Sequence, residues 1–157
     1  MAAISLGLAF VSVLVTVTVT DLERRVIPNA ILAAGTVVGL AIIVVADPGS
    51  LPGRAVAAAA AGGFLLLGAV GRREGMGMGD VKLAAVMGLY LGAAVGPALA
   101  VAFAAGSLAG LGLLLRHGTA ARTRALPFGP CLSLGGVVGL WKGEEMVDWY
   151  LGAFLAG

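Results

Sequence analysis

The sequence predicts an all-α, polytopic membrane protein of about six transmembrane helices with both termini outside. Three observations predict it. Hydrophobic residues make up 60% of the 157-residue chain and charged residues 11%, against about 25% charged in an ordinary soluble domain. The mean hydropathy is +1.06, so there is too little polar surface to cover a water-soluble globule, and lipid is the expected solvent. The apolar residues also fall in long runs bounded by charge, Gly or Pro, and the basic residues sort to one side of those runs.

The first run extends from about Ala3 to Thr20 and ends at Asp21. It lacks the basic start and small-residue cleavage pattern of a secretory signal, so it is expected to be retained as a helix. The second covers about Ala30 to Ala46 and the third about Ala55 to Val70. The stretch from Leu83 to Leu115 is about twice as long as one span requires. Gly96-Pro97 is its natural break, because proline cannot continue a helix interior without cost. The sixth run covers about Phe128 to Trp141, and the tail from Glu144 to Gly157 is left unassigned. Trp149 and Tyr150 in that tail suit a membrane–water boundary.

Six spans alternate the loops between two sides. One side receives Arg24, Arg25, Arg72, Arg73, Lys82, Arg116, Arg122 and Arg124, eight of the ten basic residues, and the other receives Arg54 and Lys142. Basic loops stay in the cytoplasm, so the first side is expected to be cytoplasmic. The net charge of +2 is too small to point to nucleic acid. A single cysteine, Cys131, excludes an internal disulfide and a cysteine-based zinc cluster. No internal repeat or linker divides the chain, so residues 1–157 are read as one membrane domain. Glycines recur four apart at Gly35/Gly39, Gly88/Gly92/Gly96, Gly106/Gly110 and Gly135/Gly139. That spacing lets helix backbones approach in lipid, and the triple is the best candidate for a packing seam.

Ionisable groups at span ends invite a functional reading with a named partner. Asp21 closes the first span and Asp80 opens the fourth, both on the basic side. The fourth span, Asp80 to Val95, is about 24 Å long at 1.5 Å per residue, shorter than a hydrocarbon core of about 30 Å. Its start is therefore expected to be drawn below the membrane surface. Two close carboxylates at one depth share a proton. One then acts as general base on a water and the other as general acid on a carbonyl and its leaving amine. Asp80 as a simple helix cap and Asp21 as a solvated span end stand as the structural alternatives.

Three glycines alternate before Asp80, in Gly75-Met76-Gly77-Met78-Gly79-Asp80-Val81-Lys82-Leu83. A bare backbone there would admit a substrate strand close to the carboxylates. Gly77-Met78-Gly79-Asp80 resembles the GxGD motif of intramembrane aspartyl proteases, and the longer string resembles the type IV prepilin peptidase (type IV leader peptidase) family. Asp21-Leu22-Glu23-Arg24-Arg25-Val26-Ile27-Pro28-Asn29 is similar to the family's first aspartate motif. Pro127-Phe128-Gly129-Pro130 is similar to its late Pro-Phe-Gly-Pro segment. The resemblance covers nearly the whole chain.

It implies an aspartyl endopeptidase that removes the basic leader from type IV prepilins, pseudopilins or Flp-type pilins at the cytoplasmic membrane face. Asp21 and Asp80 match the catalytic pair. No metal or organic cofactor is implied; the implied partners are the lipid bilayer and a substrate with an apolar helix behind a basic leader. Large bacterial members add a cytoplasmic domain with paired cysteine motifs and N-methylate the new terminus. This chain, with Cys131 alone, resembles the short peptidase-only members, so methyltransferase activity is not expected. The oligomeric state is left open.

The remaining residues carry two readings each. Lys82 either supports the pair or snorkels to the interface. Gly75, Gly77, Gly79, Pro127, Phe128, Gly129 and Pro130 either shape the cleft or form an ordinary loop and helix start. Asn29 is a candidate cap for the second helix. Glu23 and Glu74 either attract a basic leader or neutralise adjacent arginines. His117 has no partner for a metal role. Presenilin-like proteases, which pair GxGD with Tyr-Asp and Pro-Ala-Leu, fit poorly. The functional alternative is a small transporter or pilus-assembly subunit that uses paired aspartates for protons or cations. Such a protein more naturally places acids at mid-bilayer.

Overall fold

The computed structural model describes residues 1–71, 77–117 and 127–154, with the side chains of Ala2, His117 and Phe154 also outside that description. The described residues form six α-helices: α1 (Ala2–Arg24), α2 (Asn29–Ala46), α3 (Leu51–Gly71), α4 (Met78–Leu91), α5 (Val95–His117) and α6 (Gly129–Phe154). Single 3-10 turns at Pro48–Ser50 and Gly92–Ala94 join α2 to α3 and α4 to α5. Four stretches are long and apolar enough to cross a membrane: Ala3–Arg24, Asn29–Ala46, Pro48–Gly71 and Met78–Arg116. The last contains both α4 and α5. The protein is therefore an all-α membrane protein. α6 is not among the four; its second half carries Lys142, Glu144, Glu145 and Asp148.

The chain bends between α4 and α5 earlier than the Gly96-Pro97 dipeptide suggests. Gly92 closes α4 with φ +59 and ψ −134, a conformation that a Cβ would strain. Pro97 instead sits in the first turn of α5, where a missing N–H costs no helical bond. Arg54 of α3 secures the bend. Its Nη1 donates to the carbonyls of Leu89 (3.2 Å) and Tyr90 (2.5 Å), and its Nε donates to Ser50 Oγ (3.0 Å). A residue counted by sequence as a loop charge thus satisfies the otherwise orphaned carbonyls at the end of α4.

Close backbone approach sets the packing. A Cβ on Gly88 would lie 2.5 Å from Ala58 Cα, so α4 and α3 touch backbone to backbone there. A Cβ on Gly135 would overlap the carbonyl of Ala98, and Gly139 and Gly143 face Ala98 and Ala94 in the same way. The seam of α6 against α5 and the preceding Gly92–Ala94 turn therefore runs along Gly135, Gly139 and Gly143. Gly96 and Gly110 face open space, so the expected Gly88/Gly92/Gly96 seam holds at Gly88, becomes a bend at Gly92 and ends there.

The core joins Phe10, Leu14 and Val17 of α1 to Leu83, Ala84, Met87 and Tyr90 of α4, with Leu65 of α3 and Leu132 of α6. α3 packs mainly on α4, α5 on α6, and α1 on α2 and α6. α2 and α3 are sequence neighbours but make almost no contact along their lengths. They diverge across α4 and leave an apolar groove of about 600 Å³ lined by residues including Leu32, Ala33, Leu40, Ala58, Ala85 and Leu89.

Candidate active site

Asp21 belongs to the last turn of α1, which continues past the end of the apolar run to Arg24. The buried face of this helix contains Phe10, Val13, Leu14 and Val17. Asp21 continues that stripe, four residues past Val17, so helical spacing turns its carboxylate inward. Its exposure is 6%. Asp80 is in the first turn of α4. It heads a second buried stripe, Leu83, Ala84 and Met87, and is 9% exposed. Its backbone N–H donates to the Gly77 carbonyl at 3.1 Å, starting the helix. Each aspartate is thus the polar end of an otherwise apolar helix face.

The two stripes belong to one core, joined by the stacked rings of Phe10 and Tyr90, and the carboxylates at their ends come to one place. Asp21 and Asp80 line a single cleft of about 260 Å³ with Arg25, Val26, Ile27, Gly77, Met78 and Gly79, and Asp80 lies within electrostatic reach of Asp21. Glycine is required on the cleft wall at Gly79, where a Cβ would meet Ile27 Cβ at 2.9 Å. Arg25 caps α1 in the left-handed region, φ 53 and ψ 32, and its N–H donates to the Asp21 carbonyl at 2.9 Å. Among the described residues it is the one non-glycine with positive φ. Sequence reading treated it as a topology charge.

The segment from Pro127 closes the site from the far end of the chain. The backbone N–H of Gly129, the first residue of α6, donates to Asp21 Oδ2 at 3.0 Å, and this bond is buried. A Cβ on Gly129 would lie 2.6 Å from that oxygen. Pro130 occupies the first turn of α6, where proline is tolerated. Phe128 packs on Phe103 of α5, ring centroids 5.5 Å apart, and its ring fills the space left by Gly106. The segment is a helix start and also reaches the aspartate.

Lys82 does not line the cleft. Its Nζ donates to Asn29 Oδ1 at 2.8 Å, and both residues border the apolar groove. Asn29 therefore does not cap α2 with its side chain: Pro28 is the cap residue, and its carbonyl accepts from Ile31 N–H at 3.1 Å. Cys131 is partly buried, with Gly106 beside it. Gly75, Met76, Arg72, Arg73, Glu74, Arg122 and Arg124 lie outside the described residues. Among the described residues, no group of three or more His, Cys, Asp or Glu side chains gathers to hold a metal ion.

A pair of buried carboxylates in one cleft can share a proton and activate a water. The chain is 34% identical over 151 residues to the prepilin leader peptidase/N-methyltransferase of Aeromonas hydrophila, covering 91% of this chain and 51% of that protein. It is 32% identical over 151 residues to the Bacillus subtilis (strain 168) protein of the same name, covering 92% and 58%. A Legionella pneumophila protein of that name is 35% identical over 81 residues, covering 51% and 28%. The chain thus spans about half the length of the curated relatives that it matches. No solved structure matches it. The model of one protein family matches residues 8–115, a region holding both aspartates and the glycines before Asp80, and by that match the chain belongs to the type IV leader peptidase family.

Proposed function

We propose that the protein is an aspartyl endopeptidase that removes the basic leader from type IV prepilins or prepilin-like (Flp-type) proteins at the cytoplasmic face of the cell membrane. The observation that carries this reading is the meeting of Asp21 and Asp80, two buried acids from different helices, in one cleft of an otherwise apolar bundle. Family membership supports it. The transporter alternative has no comparable support, since the relatives above are named for leader peptidase activity.

In the proposed reaction the ionised aspartate takes a proton from a water whose oxygen attacks the scissile carbonyl carbon. The protonated aspartate gives its proton to the carbonyl oxygen, forming a neutral tetrahedral diol. One diol hydroxyl then returns its proton to a carboxylate as the carbonyl re-forms. The C–N bond breaks and the leaving amine takes a proton from the other carboxyl. The leader leaves with a new carboxyl terminus and the mature protein keeps a new amine. One water is consumed and no metal or organic cofactor takes part.

The apolar groove between α2, α3 and α4 is the proposed seat of the substrate's apolar segment. It adjoins the cleft closely: Ile27 and Asp80 line the cleft, and Asn29 and Lys82, each two residues further on, line the groove. The small side chains Ala33, Ala55, Ala58 and Ala85 in its wall favour close approach of a helix. Six spans with both termini outside would place the cleft on the cytoplasmic side, in accord with Arg24, Arg25, Lys82 and Arg116 at that end.

Co-expression with a prepilin or Flp-type pilin, read by intact mass, tests this reading. The wild-type protein is expected to release the leader. Asp21→Asn and Asp80→Asn, each inserted normally, are expected to lower cleavage roughly a thousandfold or more. Cleavage that persists in either variant overturns the two-aspartate mechanism.

A further inference from the structure

We propose that the main-chain N–H of Gly129 is a positioning group of the active site, fixing Asp21 through Oδ2 so that Oδ1 faces the reacting water. This rests on the proteolytic reading above. The bond is 3.0 Å long, buried, and joins residues 108 apart in sequence. A buried hydrogen bond to a carboxylate is among the stronger ones in proteins. The donor is the first residue of α6, so the positive end of that helix also points at the oxygen. Oδ2 is held by this contact. The other oxygen, Oδ1, has no hydrogen-bond partner among the described residues and is not fully buried, so it is the one open to a water in the cleft that Asp21 lines.

The side-chain requirement is equally local. With a Cβ at 2.6 Å from Oδ2 and 3.0 Å from Cγ, any other residue at this position pushes the carboxylate away. The neighbours explain how the N–H stays in register. Phe128 is wedged against Phe103 and Gly106 of α5. Ser133, one turn further on, donates its hydroxyl to the Leu14 carbonyl of α1 at 3.3 Å. The start of α6 is thus fixed to both α1 and α5. It carries the amide to the carboxylate as a rigid unit, as pre-organisation of a general base requires.

The test removes the donor without adding volume. Cell-free synthesis into nanodiscs, with glycolic acid inserted at position 129 by nonsense suppression, turns the amide into an ester. The ester variant and Gly129→Ala are compared with wild type on a prepilin leader peptide. The ester variant is expected to lower kcat about tenfold or more, with KM within about twofold of wild type. Gly129→Ala is expected to lose more. In protein labelled with 15N-glycine, the Gly129 amide resonance is expected to move most in Asp21→Asn, which changes its acceptor, and less in Asp80→Asn, which reaches it only through the shared proton. An ester variant with wild-type kcat, or an amide resonance indifferent to Asp21→Asn, overturns the assignment. Absence of cleavage by the wild type while the amide still responds to Asp21 identifies a failure of the proteolytic reading, and the catalytic role falls with it.

Discussion

The Tyr90 hydroxyl of α4 donates to the backbone carbonyl of Gly35 in α2 at 2.6 Å, inside the bundle. The ring lies where a Cβ on Gly39 would come within 2.7 Å of it, and it stacks on Phe10 of α1 with centroids 5.0 Å apart. One side chain thus joins three helices below the aspartates. Tyr90→Phe keeps the stack and removes the bond, leaving a buried carbonyl with only its helical partner. The expected loss is about 1 kcal/mol, read as a lower thermal midpoint in detergent with cleavage retained.

Gly88 and Gly96 separate backbone contact from glycine frequency. Gly88→Leu forces α4 away from Ala57 and Ala58, and overpacking of this kind costs about 1–3 kcal/mol or more. Gly96→Leu enters open space and is expected to stay within about 0.5 kcal/mol of wild type. Paired unfolding curves in one detergent check both.

Arg54 is expected to matter for stability more than its place near a loop suggests. Arg54→Met removes the donors to the Leu89 and Tyr90 carbonyls. A charged hydrogen bond contributes about 1.5–3 kcal/mol, and Arg54→Lys cannot reproduce the fork that spans both carbonyls and Ser50. The prediction is a marked loss of thermal stability in Arg54→Met with only partial recovery in Arg54→Lys.

Ala33 tests the groove. It lies on the exposed side of α2 and lines the groove wall, so Ala33→Trp fills the space without entering the core. KM for an intact prepilin is expected to rise about tenfold, while kcat and the thermal midpoint hold. A short leader peptide lacking the apolar segment is expected to be cleaved equally by both proteins. Equal KM for the intact prepilin would remove the groove from the substrate path.

Much of the architecture was legible because it follows from composition and local spacing. The apolar runs predicted α1, α2 and α3 to within a few residues, and the burial of Asp21 and Asp80 follows from their place on the stripes that end at Val17 and begin at Leu83. The bend was misplaced because Pro97 is the stronger breaker in sequence, yet harmless in a first turn, whereas Gly92 reveals itself only by its φ of +59. The bond from Gly129 to Asp21 was not legible at all. Nothing local ties residues so far apart; α1 and α6 must first pack, through contacts such as Ser133 to Leu14. Arg54 was missed for a similar reason: its partners are main-chain carbonyls, which carry no sequence signature.

The separation of α2 from α3 also bears on kinetics. A groove open sideways to lipid lets a bilayer-embedded substrate arrive by two-dimensional diffusion, without passing through water. Under the proposed function, the concentration that governs turnover is then molecules per unit membrane area. Diluting vesicles in buffer would leave the rate per enzyme unchanged, while adding lipid to the same vesicles would slow it in proportion to the area gained.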